Sequence, residues 1–393
     1  MTARSAVGGF ALGVAVTLAL TASFGPGPAA APAPRLDRSG FEQALDAVLD
    51  RYVEPVDEPA LLAAGLSAML AQLDPHSHFL TSAQRKALTK RPHAGSTGLA
   101  VALRHDAQQG PALEVLAVTP ASPAARAGLA PGDRVVRIGE RDVDRIATQI
   151  EAEVLLAGAV GDEVALLVQS GEGSAPREVA LVLDKPRAKM VEAAIVRDDR
   201  GRSFAHVVLR HFGAESGAAV LAAIAARRRA LRHELAGIIL DVRGNPGGEV
   251  HEALVVADAF VATGVLVRTR GRGGRLLREE AAHSQGSDVT TPLVVLQDRR
   301  SASASELLAA ALQDHKRARI VGERSYGKGT VQEVLGLPDG SVATFTVARY
   351  FSPDDRLVDG AGVTPDVAIA LDPIVPVAGE TDAGLRAALA AFE

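Results

Sequence analysis

Two stretches of this chain run from a continuous apolar segment directly into a turn and then into a helical segment. Ala236 to Leu240 leads into DVRGNPGG, Asp241 to Gly248, ahead of a helix predicted from Glu249 to Phe260. Pro292 to Leu296 leads into DRRSASASE, Asp298 to Glu306, ahead of the apolar run Leu307 to Leu312. A strand that is apolar at successive positions suits a sheet buried on both faces, with parallel strands covered by helices. Phe204 to Leu209, before a helix predicted over Gly217 to Arg228, fits the same scheme. Such a sheet carries its turns at the carboxyl ends of its strands, where α/β proteins place their sites. A glycine-rich turn of this form suits phosphate too, but no Gly-Lys-Ser/Thr sits at the junction and GNPGG is not a dinucleotide fingerprint.

The second turn carries the chemistry-bearing residue types. Ser301, Ser303 and Ser305 alternate with alanine at the mouth of a helix, where backbone N–H groups and the helix dipole favour negative charge. A nucleophilic serine needs that setting, because its tetrahedral intermediate is an oxyanion. No histidine stands beside it in a motif. Gly327-Lys328-Gly329 offers a lysine instead, and Ser-Lys pairs are one variant of triad chemistry. Lysine acts as a base only as the neutral amine, which burial among apolar groups favours. The same residues also read as a helix cap at Ser301, with Glu306 nearby, and an exposed Gly-Lys-Gly turn. On this stretch alone both readings stand.

Composition removes other classes of function. The 393 residues contain no cysteine, which excludes disulfides, thiol catalysis and Cys-ligated metals. A net charge of −5 supplies no basic excess for a phosphate backbone, and 3% aromatic residues without tryptophan leave few platforms for bases. Arg4 precedes an apolar run from Ala6 to Phe24, which fits an export signal and is just long enough for a membrane span. A Pro/Ala-rich linker follows, Gly25 to Pro34. The expected location is therefore outside the cytoplasm, periplasmic or extracytoplasmic, with tethering to the inner membrane through residues 6–24 if that segment is retained. Two amphipathic helices, Leu36 to Tyr52 and Glu58 to Leu73, come next and end at LDPHSHF. His76 and His78 lack an evident third metal ligand and read as turn residues.

From Gly95 to Pro186 the texture changes to short strands: Gly98 to Leu103, Leu113 to Val118, Arg134 to Ile138, Val164 to Val168 and Glu178 to Leu183. Ser122-Pro123 opens a short helix, and a longer helix is predicted from Ala147 to Leu156. The run SPAARAGLAPGDRVVRIG, Ser122 to Gly139, resembles a PDZ domain in its bacterial, circularly permuted form. The resemblance implies a C-terminal peptide added as a strand beside Gly98, Leu99, Ala100 and Val101, its carboxylate on the first backbone N–H groups of that edge. The Ala147–Leu156 helix would form the other wall. The competing reading is a small β-domain with a purely structural role.

Taken in order, LDPHSHF, the PDZ run, LDVRGNPGG, SASASE, GKGTVQ and the ending YFSP to GVTPDV resemble the C-terminal processing peptidases, also called tail-specific proteases, over nearly all of Phe41 to Ile369. The resemblance implies an α/β multidomain chain: signal peptide or anchor 1–24, linker 25–35, helical region 36–93, β-rich PDZ domain 94–186, α/β peptidase core of the ClpP/crotonase-like type 187–373, and helical tail 374–393. It implies Ser303 as nucleophile, Lys328 as base and Gln332 as the residue that orients the lysine, through an acyl-enzyme hydrolysed by water. The oxyanion is expected on backbone N–H groups of Ala304 and of Gly247 or Gly248. Ser301 is then the helix cap, Ser305 a helix residue, and Asp241 and Arg243 structural. Many relatives carry an arginine where this chain has Ala157, so any coupling of peptide binding to activation is in doubt here or is built differently. Expected partners are protein substrates with unstructured apolar C-termini; an adaptor and homo-oligomerisation stay open, and no cofactor, metal or nucleic acid is implied. A PDZ scaffold with a vestigial core and a ligand carrier on the same fold are the rival functions.

Overall fold

The protein is described here from a computed structural model, covering residues 36–393 except 91–94, 107–109, 120–121, 147–148, 172–173, 186–188, 232, 284–287, 372–377 and 380–381. The apolar segment 6–24, the linker 25–34 and the predicted helix start at 147 lie outside the described residues. Among the described residues no helix is long and apolar enough to cross a membrane.

The chain divides into two compact units, residues 1–62 and 63–393. In the first, helix α1 (Arg38–Arg51) starts at Asp37, whose carboxylate accepts from the Gly40 N–H at 2.8 Å, and it buries none of its residues. Helix α2 (Glu58–Ala71) runs across the division. In the second unit its Leu70 packs with Phe79 and Ala343. Phe79 belongs to strand β1 (His78–Leu80), which pairs antiparallel with residues 342–344 far along the chain. The segment read as helical thus gives one strand to the distant core. Helix α3 (Ser82–Lys90) follows it.

The PDZ elements come next: β2 (Leu99–Asp106), β3 (Gly110–Val118), α4 (Pro123–Arg126), β4 (Arg134–Ile138), β5 (Arg141–Asp142), α5 (Gln149–Leu156), β6 (Glu163–Gln169) and β7 (Arg177–Val182). The strands form one antiparallel sheet in the order β2-β3-β4-β6-β7, with β5 on β4. Alternate residues of β4 and β6, among them Val135, Leu166 and Val168, point into a core shared with Ala152 and Leu156 of α5. Ser122 caps α4 as its sequence predicts, its Oγ accepting from the Ala125 N–H at 3.2 Å.

The remaining chain alternates: β8 (Val191–Arg197), β9 (Ser203–Leu209), α6 (Ser216–Arg229), β10 (Gly237–Asp241), α7 (Val250–Asp258), β11 (Val265–Gly271), β12 (Leu276–Ala281), β13 (Leu293–Gln297), α8 (Ala304–Asp314), β14 (Arg319–Gly322), β15 (Thr330–Gly336), β16 (Val342–Phe351), β17 (Val367–Ala368) and α9 (Ala383–Ala390). Strands β17-β14-β13-β10-β9-β8 form a sheet, parallel except for the β8–β9 pair. Both faces are covered, which explains the unbroken apolar runs. Ile238, Leu240, Val295 and Ile320 pack under α6, α7 and α8, while Ile239, Val294, Leu296 and Val321 pack against Leu385 and Ala388 of α9. A second sheet, β1-β16-β11-β12 with β15 on β16, has a polar exposed edge in β12, which carries Arg278, Glu279 and Glu280; β11 starts apolar, with Leu266 and Val267 buried, and turns polar at Arg268 and Arg270.

Strands β10 and β13 are parallel neighbours, with Asp241 opposite Leu296. Their two turns therefore leave the sheet side by side. Asp241 is fully buried and is held by the guanidinium of Arg243, with Nε to Oδ1 at 2.9 Å and Nη2 to Oδ2 at 2.6 Å, and by His206 at 3.0 Å. Burial pushes the Asp241 carboxyl up, but Arg243 and His206 outweigh it and hold the group well below its ordinary 3.8. Arg243 also reaches Asp382 at 2.9 Å, the residue that caps α9 through the Leu385 N–H. The pair is thus a structural bolt between strand end and tail helix. Arg243→Leu, which leaves Asp241 buried without its main counter-charge, is expected to cost about 3–5 kcal/mol in urea denaturation; a loss under about 1 kcal/mol would contradict this role.

Candidate active site

The three alternating serines part company in the structure. Ser301 is 1% exposed and its Oγ donates to the Val242 carbonyl at 2.8 Å. Ser305 is 0% exposed and its Oγ donates to the Asn245 carbonyl at 3.0 Å. Both tie the serine turn to the neighbouring GNPGG turn. Ser303 alone of the three is half-exposed. It also stands at φ 55° and ψ −117°, a region that a residue with a side chain enters only when its surroundings hold it there. The sequence reading put the helix cap at Ser301; the structure puts Ser303 at that position, because α8 starts at Ala304 and Ser301 is turned into the sheet edge.

What holds Ser303 is Glu306, three residues on in the first turn of α8. Its side chain is fully buried. Oε2 accepts from the Ser303 N–H and from the Lys328 N–H, each at 2.8 Å. Oε1 accepts from the Gly327 N–H at 2.7 Å and from the Ser325 hydroxyl at 2.5 Å. Ser303 and Lys328 thus have backbone nitrogens on one and the same oxygen. Burial pushes the Glu306 carboxyl up, and the four donors pull against that rise. The spacing was legible: serine followed three residues later by glutamate before an apolar run is a capping pattern, once the cap is set at Ser303.

The lysine is less enclosed than its sequence reading expects. Lys328 is half-buried rather than buried, and its ammonium has no hydrogen-bond or ion-pair partner among the described residues. Its loop is packed tightly all the same. A Cβ on Gly329 would lie 2.4 Å from the Asp359 nitrogen, so only glycine fits there. Gln332 does not hydrogen-bond the lysine. Its Nε2 donates to Thr330 Oγ1 at 2.7 Å and Thr346 Oγ1 at 3.4 Å, within the β15–β16 pair. His76, read from sequence as a plain turn residue, lines the same cleft as Gly327 and Thr330 and feels the charge of Lys328. Burial first, and the lysine's positive charge second, hold its imidazole below the ordinary 6.5. His78 opens β1 and its Nδ1 sits 3.1 Å from the His76 carbonyl.

The anion-binding geometry separates the two glycines. Gly247 already gives its N–H to Asn245 Oδ1 at 2.9 Å. Gly248 is exposed at φ 134°, where a Cβ would sit 2.0 Å from the Phe212 carbonyl oxygen. Among the described residues the N–H groups of Gly248 and Ala304 meet no protein acceptor. Gly247 presses the two turns together, since a Cβ there would lie 3.0 Å from the Ala304 nitrogen. On the PDZ side, β2 is the edge strand of its sheet. Its first N–H groups are engaged locally, Gly98 with Ser96 Oγ at 3.0 Å and Leu99 with Thr97 Oγ1 at 3.3 Å, so a terminal carboxylate there has to displace those hydroxyls. Ala100 and Val101 continue the edge. A cleft of about 640 Å³ opens between the PDZ residues Glu114 and Leu116 and the core residues His76, Tyr326, Gly327 and Thr330.

Comparison with known proteins agrees with this architecture. The model of peptidase family S41 matches residues 203–369, and that of the PDZ domain matches residues 114–170. The chain is 30% identical over 333 residues to the carboxy-terminal-processing protease of Bartonella bacilliformis, covering 84% of this chain and 74% of that one. It is 32% identical over 353 residues to the chloroplastic C-terminal processing peptidase of Tetradesmus obliquus, covering 86% and 75%. Among solved structures, a photosystem II D1 C-terminal processing protease superposes with a TM-score of 0.70 at 32% identity, covering 86% of this chain and 87% of that one.

Glu306 yields a prediction of its own. A glutamine there keeps the shape but presents an NH₂ to N–H donors that need an acceptor. Glu306→Gln is expected to lower stability by about 2–4 kcal/mol, because buried donors are left unmatched. A chemical melt within about 0.5 kcal/mol of the parent would show that the carboxylate does not hold the two loops.

Proposed function

The chain belongs to peptidase family S41, among the C-terminal processing proteases with a PDZ domain, and from that premise we propose that Ser303 and Lys328 form its catalytic pair. Lys328, as the neutral amine, takes the proton from Ser303 Oγ as that oxygen attacks the scissile carbonyl. The C–N bond breaks as the leaving amine takes a proton from the lysine, and the acyl group stays on Ser303. A water, deprotonated by the same lysine, then attacks the ester and frees both the new carboxyl end and the serine. The oxyanion of each tetrahedral intermediate rests on the N–H groups of Ala304 and Gly248, which meet no protein acceptor among the described residues.

One observation carries this reading. Of three serines at the helix mouth, only Ser303 is reachable, and it alone is held in a strained backbone beside unused N–H groups. Gln332, expected to orient the lysine, would do so through a rearrangement of its bonds to Thr330 and Thr346.

The PDZ domain, in the same proposal, captures the C-terminal tail of an unstructured, apolar-ended substrate along β2 and feeds the upstream chain to the cleft. The enzyme works outside the cytoplasm, exported or tethered through residues 6–24; recovery of the full-length protein in the cytoplasmic fraction would remove that part. Mass spectrometry of products from a tailed substrate tests the chemistry. Ser303→Ala and Lys328→Ala are each expected to lose at least about a thousandfold in kcat/KM, and cleavage by either variant at the parent's rate would overturn the pair.

A further inference from the structure

The Arg300 side chain joins the PDZ sheet to the active-site turns, and we propose that it is the positioning residue through which tail capture on β2 acts on the serine turn. The proposal rests on the tail-capture reading given above.

The PDZ end of the link is a defect in a ladder. Ala100 of β2 faces Ala117 of β3, but the next residue, Val101, faces Val115. Leu116 is therefore an extra residue with no partner across β2. The β3–β4 pairing covers Leu113 and Glu114, and Val115 is engaged by Gly132 and Asp133, so Leu116 is outside that ladder as well. A bulge of this kind leaves one residue's backbone groups for other use. Here the Leu116 carbonyl accepts from Arg300 Nη1 at 3.1 Å.

The core end of the link is a buried carboxylate. Arg300 is 8% exposed, and its Nε and Nη2 both donate to Asp298 Oδ2, the former at 2.8 Å. The other oxygen of Asp298 accepts from the Gly244 N–H at 3.0 Å, the Arg300 N–H at 2.9 Å and the Ser301 N–H at 3.1 Å. Gly244 begins the turn that carries Gly247 and Gly248, and Ser301 begins the one that carries Ser303. An unbroken set of charge-assisted hydrogen bonds thus runs from the bulge to both turns.

The bulge in β3 lies directly across from Ala100 and Val101 of β2, the strand that takes the tail in the tail-capture reading. Adding a strand to that edge changes the backbone of β2 where its pairing with β3 is weakest. The Leu116 carbonyl moves with it, and Arg300 carries the displacement to Asp298. A guanidinium suits this task because one rigid fork serves the carboxylate and the carbonyl together; a lysine in its place keeps a charge for Asp298 but loses the fork.

The test compares two peptides with one cleavage sequence in the full chain, one ending in a free apolar C-terminus and the other amidated. The parent is expected to prefer the free tail by about tenfold or more in kcat/KM, within the usual range of coupling between sites. In Arg300→Lys that preference is expected to collapse to below about threefold, with the loss in kcat and the affinity for a fluorescent tail peptide kept. Preference kept in the variant overturns the proposal. So does a proportional fall with both peptides, which marks a merely structural arginine. No preference in the parent instead overturns the tail-capture reading. A second measurement needs no variant: amide exchange at Gly244 and Ser301 is expected to change when the free tail is added to the parent, and unchanged exchange there with the tail bound overturns the link.

Discussion

A carboxylate removed from water has to find its donors within the protein, and Glu306 finds them in the two loops that carry Ser303 and Lys328. Its two oxygens hold the backbone of Ser303, Gly327 and Lys328 together with the Ser325 hydroxyl. Acceptor-only chemistry is what makes this work, since every neighbour it binds is a donor. The strain at Ser303 follows from the same constraint. A serine at φ 55° persists only where fixed bonds over-determine it, and the Glu306 oxygen on its N–H is one of those bonds. The turn beside it is fixed by a second set of bonds, from Ser301 and Ser305 to carbonyls of the β10 turn.

All of this depends on the pairing of β10 with β13. Parallel register sets Asp241 opposite Leu296, so two turns far apart in sequence emerge together. Close approach then needs glycine, and Gly247 and Gly248 are where a side chain would collide with the serine turn and with Phe212. The buried Asp241–Arg243 pair, reaching on to half-buried Asp382, fixes the end of β10 to the tail helix. Among the described residues the backbone N–H groups of Gly248 and Ala304 meet no protein acceptor.

The fold was legible wherever burial writes a pattern. Ala236 to Leu240 and Pro292 to Leu296 are apolar because both faces of their sheet are covered, and the Ser122-Pro123 helix start follows from local capping alone. Strand β12 was not legible, because an exposed charged edge has no apolar period; its partner β11 has an apolar start too short to mark a strand by itself. Strand β1 was missed for a different reason: three residues after a turn become a strand only because β16 arrives from more than 260 positions away in register. In the site, the motif order pointed to Ser303, Lys328, Ala304 and the two glycines. It could not show that Ser301 turns inward, that Gln332 bonds Thr330 and Thr346, or that His76 lines the same cleft as Gly327 and Thr330. Those depend on which side chains a distant strand brings together.

The central claim is that Ser303 alone is set up for nucleophilic attack, with its flanking serines turned to structural use. The most direct measurement is to treat the full chain with a fluorophosphonate, digest it and map the adduct by tandem mass spectrometry. The account predicts a single phosphonyl adduct on Ser303, formed at a rate that falls to background in Lys328→Ala. An adduct on Ser301 or Ser305, or labelling of Ser303 unaffected by loss of the lysine, would contradict it.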